Sequence, residues 1–343
     1  MKRALRSRIA PYGVEFVAVT HGIRADPVAD TRRLRHGSHT LPGALARPAP
    51  RGLCVGGRPI GPFPFPHAIG AVAPISPSDT RAVLALLIDA ARIAGDMALH
   101  FFRPGAETAA RVDFKAGGSP VTEADLAVDR YLHDRLRAAV PEAAWLSEET
   151  ADDLDRLLHD HVLVVDPIDG TRSFAGGDPH WAVSVALVSH GRPVAGVVHA
   201  PALEQTFEAG LGLGARLNGR PTAVSPRAEL GGARLSAPAG FIKPLARAVP
   251  VALVPRIPSL ACRFAAVASG AIDAAVASPD SHDWDLAGVD IVLHEAGARF
   301  TAADGRPITY NARVPRHRTL YAAGPNLHDA LVAAGRRTLG AGG

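Results

Sequence analysis

His161-Val162-Leu163-Val164-Val165-Asp166-Pro167-Ile168-Asp169-Gly170-Thr171 is the stretch from which the fold can be read. A short apolar run that ends in a carboxylate reads as a buried strand delivering Asp166 at its end. Pro167 keeps Asp166 extended, because the residue before proline is pushed out of the helical region. Asp169 follows three positions later, and Gly170-Thr171 open a turn or helix. A buried strand running into a helix start is the junction on which α/β folds are built.

Working outward, strands and helices interleave on both sides. Ser78-Asp79 caps a helix carrying Val83, Leu84, Leu86, Leu87, Ala90, Ile93, Ala94 and Met97 at helical spacing and ending near Arg103-Pro104-Gly105. Thr122 starts a second helix, with Asp125 three residues on as a short-acid capping box. Trp181 to Val188 and Val194 to His199 read as strands, and Leu217-Asn218-Gly219-Arg220 as a hairpin turn. From Pro258 a helix through Phe264 and Val267, a strand Ile272 to Ala277, a helix Leu286 to Ala296 and a strand Arg299 to Thr301 precede a last strand and helix. The class is α/β, and no internal repeat is visible.

The 343 residues, 47% of them hydrophobic, are enough for a substantial core and about two domains. No apolar run reaches the ~18 residues of a membrane span. Two cysteines, Cys54 and Cys262, do not make a disulfide framework or thiolate metal site, which fits a reducing cytoplasm. The formal charge of +4 is uneven: through Ile75 there are eleven Lys or Arg against Glu15, Asp26 and Asp30, which leaves the remainder at −4. Residues 1–77 are also crowded with proline and glycine from Leu41 to Pro77 and are expected to be a disordered extension. Their composition is shared with transit peptides, but the prolines leave little amphipathic helix; an extension from a misplaced start codon fits as well.

The chemistry lies in acids at element ends. Asp166, Asp169 and the Ile168 carbonyl offer the hard oxygen ligands that Mg²⁺ prefers. The amides of Gly170 and Thr171, at a helix start, are placed for phosphate oxygens. Alone, the same six residues read equally as an Asp-Pro turn followed by an Asp-Gly turn. Glu148-Glu149, after Trp145-Leu146-Ser147, and Trp284-Asp285, opening the helix Leu286 to Ala296, shift the balance toward a metal site. Taken singly, the first could be a solvated pair and the second a helix cap.

From about Ser78 onward the chain resembles the inositol monophosphatase superfamily of lithium-sensitive, magnesium-dependent phosphatases. The resemblance rests on Leu146-Ser147-Glu148-Glu149, Asp166-Pro167-Ile168-Asp169-Gly170-Thr171 and Trp284-Asp285-Leu286-Ala287-Gly288, in that order. Lys115 and Ser119-Pro120-Val121-Thr122-Glu123-Ala124-Asp125 resemble the family's metal-loop and Thr-x-x-Asp segment. It implies a layered α/β/α/β/α sandwich, with residues 78–229 forming a metal and phosphate domain and 230–343 a second domain that closes the site. It implies two or three Mg²⁺ ions, one held by Glu148, Asp166 and the Ile168 carbonyl and another by Asp166, Asp169 and Asp285. Thr171 and Asp125, with Glu148, match the groups that activate the attacking water. Members are frequently homodimers.

Substrate follows less directly. Inositol-specific members carry a glutamate seven residues before the Trp-Asp aspartate, where Ser278 stands here. Ser259-Leu260-Ala261-Cys262-Arg263 resembles a stretch of bisphosphate nucleotidases, and Arg263 could grip a second phosphate. The expected substrate is therefore a small phosphorylated metabolite of the 3′(2′),5′-bisphosphate nucleotidase type. Inositol 1-phosphate and histidinol phosphate are the alternatives, and a phosphometabolite-binding sensor is the non-enzymatic one. A sensor is expected to have lost a carboxylate, whereas Glu148, Asp166, Asp169 and Asp285 are all present. A nucleic-acid polymer is not expected as partner, because the basic run lacks interleaved aromatic residues; nor is a membrane.

Overall fold

The structure, a computed structural model, describes residues 76–339; the extension over residues 1–77 lies outside these apart from Ser76 and Pro77, as does Cys54. Helix α1, Thr80–Leu99, begins where Asp79 accepts the Ala82 amide at 3.0 Å and buries Val83, Leu86, Leu87, Ala90 and Ala94. The hairpin β1, Val112–Phe114, and β2, Pro120–Thr122, runs into α2, Glu123–Ala139. The capping box expected there is formed: the Thr122 amide donates to Asp125 at 2.8 Å, and the Asp125 amide to the Thr122 hydroxyl at 3.3 Å.

Seven strands then form one sheet in chain order. They are β3 Ala144–Ser147, β4 His161–Asp169, β5 Ala182–Ser189, β6 Arg192–Ala200, β7 Gln205–Gly210, β8 Gly214–Leu217 and β9 Arg220–Pro221. Only the β3/β4 pair is parallel. The short helix α3, Thr171–Ala175, lies between β4 and β5. The hairpin turn at Asn218-Gly219 has φ of 50° and 74°, both left-handed as a two-residue turn of that type requires.

In one respect β4 departs from the reading of its sequence. It does not stop at Asp166 but resumes at Asp169: Asp166 pairs with Ser184 and Asp169 with Ala182, leaving Pro167 and Ile168 opposite Val183. Pro167 has no amide to give the ladder, and the Ile168 amide turns to Asp166 Oδ1 at 3.0 Å. The resulting bulge sets both aspartates on one strand.

The second sheet holds β10 Arg234–Ser236, β11 Ala252–Leu253, β12 Ala274–Ala277, β14 Arg299–Ala302 and β16 Leu320–Ala323, in the order β11-β10-β12-β16-β14. Between them run α4 Ala239–Ala248, α5 Leu260–Ala268 and α6 Asp283–Glu295, while β13 Ser281–His282 pairs with β15 Arg316–His317 and α7 Pro325–Leu339 ends the described chain. Helices α1 and α2 cover one face of the large sheet and α6 the other; α5 packs on α6 and on β12, and α4 and α7 lie outside the small sheet. This is the α/β/α/β/α layering expected. Every residue from Leu286 to Leu293 of α6 is buried, as a helix sandwiched between two sheets must be. No helix of the described residues is long and apolar enough to cross a membrane.

Two glycines set how deeply α6 sits. A Cβ at Gly288 would stand 2.7 Å from Ser184 Oγ and 3.0 Å from the Val197 carbonyl, and one at Gly196 would stand 2.7 Å from the Gly288 carbonyl. Helix backbone and sheet backbone are thus in contact, with Ser184 Oγ donating to the Trp284 carbonyl at 3.3 Å. Because Ser184 pairs with Asp166, this contact brings the first turn of α6 to Asp166. Gly196→Ala should lift the helix and cost about 1–3 kcal/mol, lowering the melting temperature by roughly 3–10 °C. Gly240→Ala, where nothing lies within 4 Å, should leave it unchanged or slightly raised. Equal melting temperatures for both variants in calorimetry would refute the close-packing argument.

Candidate active site

Three elements deliver the acids. Asp166 and Asp169 flank the β4 bulge, and Asp285 stands in the first turn of α6; one carboxylate oxygen from each lies within 4.8 Å of the others. Glu148 follows β3, where its amide donates to the Val165 carbonyl at 3.3 Å, one residue from Asp166. Helix α2 braces that loop, since Asp129 accepts the hydroxyls of Ser147 at 2.5 Å and Thr150 at 2.7 Å. Asp125, one turn earlier on the same helix face, is 3.2 Å from the Thr171 hydroxyl through Oδ1. That hydroxyl is also 3.2 Å from the Ile168 carbonyl.

The acids are held by donors from outside the motifs. Asp169 Oδ2 accepts the Ala261 amide at 2.7 Å and the Ser259 hydroxyl, both at the start of α5. Asp285 Oδ2 accepts the His282 amide at 2.7 Å, so the residue caps its helix and belongs to the acidic cluster at once. Lys115 Nζ bridges Glu148 at 2.7 Å and Glu149 at 2.9 Å. Asp166 Oδ2 is buried with no hydrogen-bond partner.

Such a cluster is electrostatically unhappy without a cation. Burial, then the charges of Glu148, Asp169 and Asp285, push Asp166 well above the usual carboxylate range. Asp285 is raised in the same direction by burial and then by Asp169. Burial raises Asp169 to about 6 despite its bonds from Ser259 and Ala261, and raises Asp125 to about 6 despite its bonds from Thr122. Glu149 is raised to about 7, by burial first. Burial works to lower Lys115, but Glu148 and Glu149 outweigh it and hold the ammonium charged. An unpartnered buried oxygen, an all-oxygen donor set and raised carboxylate pKa values fit a hard divalent cation. Asp166, Asp169 and Asp285 are the residues best placed to hold it, with Glu148 and the Ile168 carbonyl beside them.

Gly170 has φ of 93° and caps α3; a Cβ there would stand 3.1 Å from the His180 carbonyl and 3.2 Å from Ser259 Cβ. Only glycine suits both the backbone and the space. Its carbonyl accepts the first intrahelical bond, from Phe174, so the Gly170 and Thr171 amides precede the helix's own bonding.

Arg263 requires a correction. It does not present its guanidinium to the site: it is 4% exposed, and Nε and Nη2 donate to the Ile257 carbonyl at 2.9 and 2.6 Å. Weaker bonds go to Pro258 and Val276. Arg263 ties the segment before α5 to β12, and the second phosphate it was expected to grip has no such partner. Cys262 beside it is a buried thiol raised to about 12 by burial, and inert.

A further network was not read from the sequence. Asp283, fully buried two residues before Asp285, accepts the Asn311 amide at 2.7 Å and pairs with His317 Nε2 at 2.6 Å. Asn311, at φ of 61°, accepts Arg156 Nη1 at 2.6 Å, and buried Arg156 forks onto Asp152. The loop after β3 and the segment before β15 are thereby both fastened to the first turn of α6. Ser259 and Asp283 leave a faint signal as a helix N-cap and a first-turn acid; Arg156 and Asn311 lie 155 residues apart and leave none.

Raised carboxylate pKa values fix the sign of a pH effect. In metal-stripped protein the folded state holds Asp125 and Asp169 near 6 and Glu149 near 7, above their ordinary values of 3.8 and 4.5, so it binds more protons than the unfolded state. The stability these groups lend is complete below pH ~4 and is lost as pH rises through about 6 to 7. Added Mg²⁺ should therefore raise the melting temperature more at about pH 7.5 than at about pH 5. Equal shifts at both, against EDTA controls, would contradict the cluster's electrostatics.

With this geometry in place, comparison with known proteins gives three kinds of match. A family model described as the inositol monophosphatase family covers residues 79–339. A histidinol-phosphatase of Mycobacterium tuberculosis is 38% identical over 207 residues, covering 57% of this chain and 78% of the relative. A 3′(2′),5′-bisphosphate nucleotidase CysQ of Haemophilus influenzae is 29% identical over 213 residues, covering 59% and 79%. Among solved structures, an IMPase of Thermotoga maritima superimposes with a TM-score of 0.65 at 28% identity, covering 77% of this chain and 99% of that one.

Proposed function

The chain belongs to the inositol monophosphatase family of phosphoric monoester hydrolases, and from that premise we propose that it hydrolyses a small alcohol phosphate with Mg²⁺ held by Glu148, Asp166, Asp169, Asp285 and the Ile168 carbonyl. The observation that carries this reading is the buried, unpartnered Asp166 oxygen inside a cluster of acids, next to a hydroxyl and carboxylate that bond each other. When bound, Mg²⁺ supplies positive charge against the phosphate oxygens and makes nearby water more acidic. Two ions fit the donors: Glu148, Asp166 and Ile168 suit one, and Asp166, Asp169 and Asp285 the other.

The chain's own residues supply the rest. Gly170 and Thr171 amides receive phosphate oxygens at the turn where no side chain intrudes. Thr171 Oγ1, bonded to Asp125 Oδ1, takes up the proton of the water that attacks phosphorus and passes it toward the carboxylate. Thr122 donates to the other oxygen of Asp125 and fixes its orientation. The ester oxygen leaves as the alcohol once it has regained a proton. No covalent bond between protein and phosphate is called for.

For the alcohol, a compact monophosphate fits better than a nucleoside bisphosphate. The bisphosphate reading leaned on Arg263, whose donors are spent on carbonyls, and the inositol reading lacks the glutamate at Ser278. Histidinol phosphate is the reading that remains, supported by the relative at 38% identity. Phosphate release from histidinol phosphate, inositol 1-phosphate and adenosine 3′,5′-bisphosphate should favour the first by kcat/KM, and only with Mg²⁺. A preference for the bisphosphate would reverse the order of substrates; turnover in excess EDTA would remove the metal.

Variants separate proton transfer from cation binding. Thr171→Ala and Asp125→Asn should lower kcat by roughly 10²-fold or more while leaving Mg²⁺ affinity and KM nearly intact. Asp169→Asn should weaken Mg²⁺ binding and regain rate as Mg²⁺ is raised. Recovery of Thr171→Ala at high Mg²⁺ would move that residue to the metal site.

A further inference from the structure

Helix α2 carries a second buried acid, and proton transfer at Thr171 makes no use of it. Asp129 stands one turn after Asp125 and is 7% exposed. Both of its oxygens face the loop after β3: Oδ1 accepts the Ser147 hydroxyl at 2.5 Å and Oδ2 the Thr150 hydroxyl at 2.7 Å. Among the described residues no lysine, arginine or histidine pairs with it. A carboxylate buried without a cation costs more than a neutral side chain of the same size, and a like charge four residues from Asp125 adds to that cost.

What a carboxylate offers that an amide or hydroxyl does not is direction, because when ionised it only accepts. Both hydroxyls must point their protons at Asp129, and Ser147 Oγ thereby turns a lone pair to the Glu149 amide, 3.3 Å away. The residue framed by these bonds is Glu148. Its own amide donates to the Val165 carbonyl at 3.3 Å. The peptides on either side of Glu148 are thus both held, one to β4 and the other, through Ser147, to α2.

We propose that Asp129 is a positioning residue for the cation site, fixing the backbone from which the Glu148 carboxylate reaches Mg²⁺; this rests on the reading above that Glu148 is one of the acids holding that ion. Lys115 Nζ already holds the same carboxylate at 2.7 Å. A backbone that is fixed beforehand lowers the ordering entropy lost when the carboxylate exchanges the ammonium for a metal ion. One helix then serves both halves of the chemistry, Asp125 toward Thr171 and Asp129 toward Glu148.

The test is calorimetric titration of metal-stripped, full-length protein with Mg²⁺. Glu148→Gln identifies the binding step to which that carboxylate contributes. Asp129→Ala should weaken the same step about tenfold or more, Thr150→Val should weaken it less, and Thr150→Ser, which keeps the hydroxyl, should match the wild type. Added to Glu148→Gln, Asp129→Ala should weaken it no further, because both act through one carboxylate. Val332→Ala, in the core between α7 and the small sheet, should lower Tm and leave Mg²⁺ affinity unchanged, which separates lost stability from lost positioning. If Asp129→Ala fails to fold, the Thr150 variants, at an exposed position, decide. Unchanged affinity in Thr150→Val and in any folded Asp129→Ala, where Glu148→Gln is weakened, would overturn the role of Asp129 alone. Unchanged affinity in Glu148→Gln would overturn the metal role of Glu148 and that of Asp129 with it. Additive losses in the double variant would place the effect of Asp129 elsewhere than Glu148 and overturn the proposal as well.

Discussion

Mutual repulsion among Asp166, Asp169 and Asp285 is the interaction against which this fold is assembled. Carboxylates brought within 4.8 Å in a dry site favour separation, protonation or a cation. The chain rules out separation by placing the three on elements that cannot move independently. Two sit on one strand across a bulge, and the third sits on a helix whose backbone touches the sheet through Gly288 and Gly196. The remaining outcomes, protonation and cation binding, are linked, so the same repulsion that costs stability becomes affinity for a hard divalent ion.

The supporting bonds divide the work between the two sheets. Asp169 belongs to the large sheet, yet its donors, Ser259 and the Ala261 amide, come from α5, which packs against the small one. Asp285 precedes the buried body of α6, and Asp283 fastens that first turn to Asn311 and His317. Movement between the layers would break bonds to two of the three acids together. Glu148 is different: its partner Lys115 is half-buried on the segment between β1 and β2, and adjacent Glu149 shares the same ammonium. A lysine bridging both carboxylates can keep one while yielding the other, so Glu148 is the acid freest to turn toward a cation.

Much of this was legible because local chemistry and global position agree. The Thr122 and Asp125 capping box, the Asn218-Gly219 turn and the apolar run before Asp166 each have a short-range cause, and each formed as read. Short-range causes failed where a long-range partner decided. The end of the apolar run suggested that β4 stops at Asp166, but pairing with β5 carries the strand on to Asp169. Arg263 read as a phosphate ligand because Ser259-Leu260-Ala261-Cys262-Arg263 resembles a nucleotidase stretch and a guanidinium can grip phosphate. Three carbonyls of its own neighbourhood, those of Ile257, Pro258 and Val276, claim it instead. The contact of Arg156 with Asn311 spans 155 positions, and nothing at either end announces it.

What distinguishes substrates must lie outside the acids, because every phosphate ester presents them with the same three oxygens. Beside the acids lies the turn before α6. There the rings of His282 and Trp284 stack with centroids 4.5 Å apart and planes 4° from parallel. Burial lowers the His282 pKa, with Arg316 pushing the same way, so the imidazole is neutral at physiological pH. Its Nδ1 stands 3.9 Å from Asp285 Oδ2, linking the stack to the acidic centre without bonding it. Ser278, before this turn, carries no charge. The stacked rings and Asp285 therefore belong to one turn, and a change in that turn would reach the acidic centre as well.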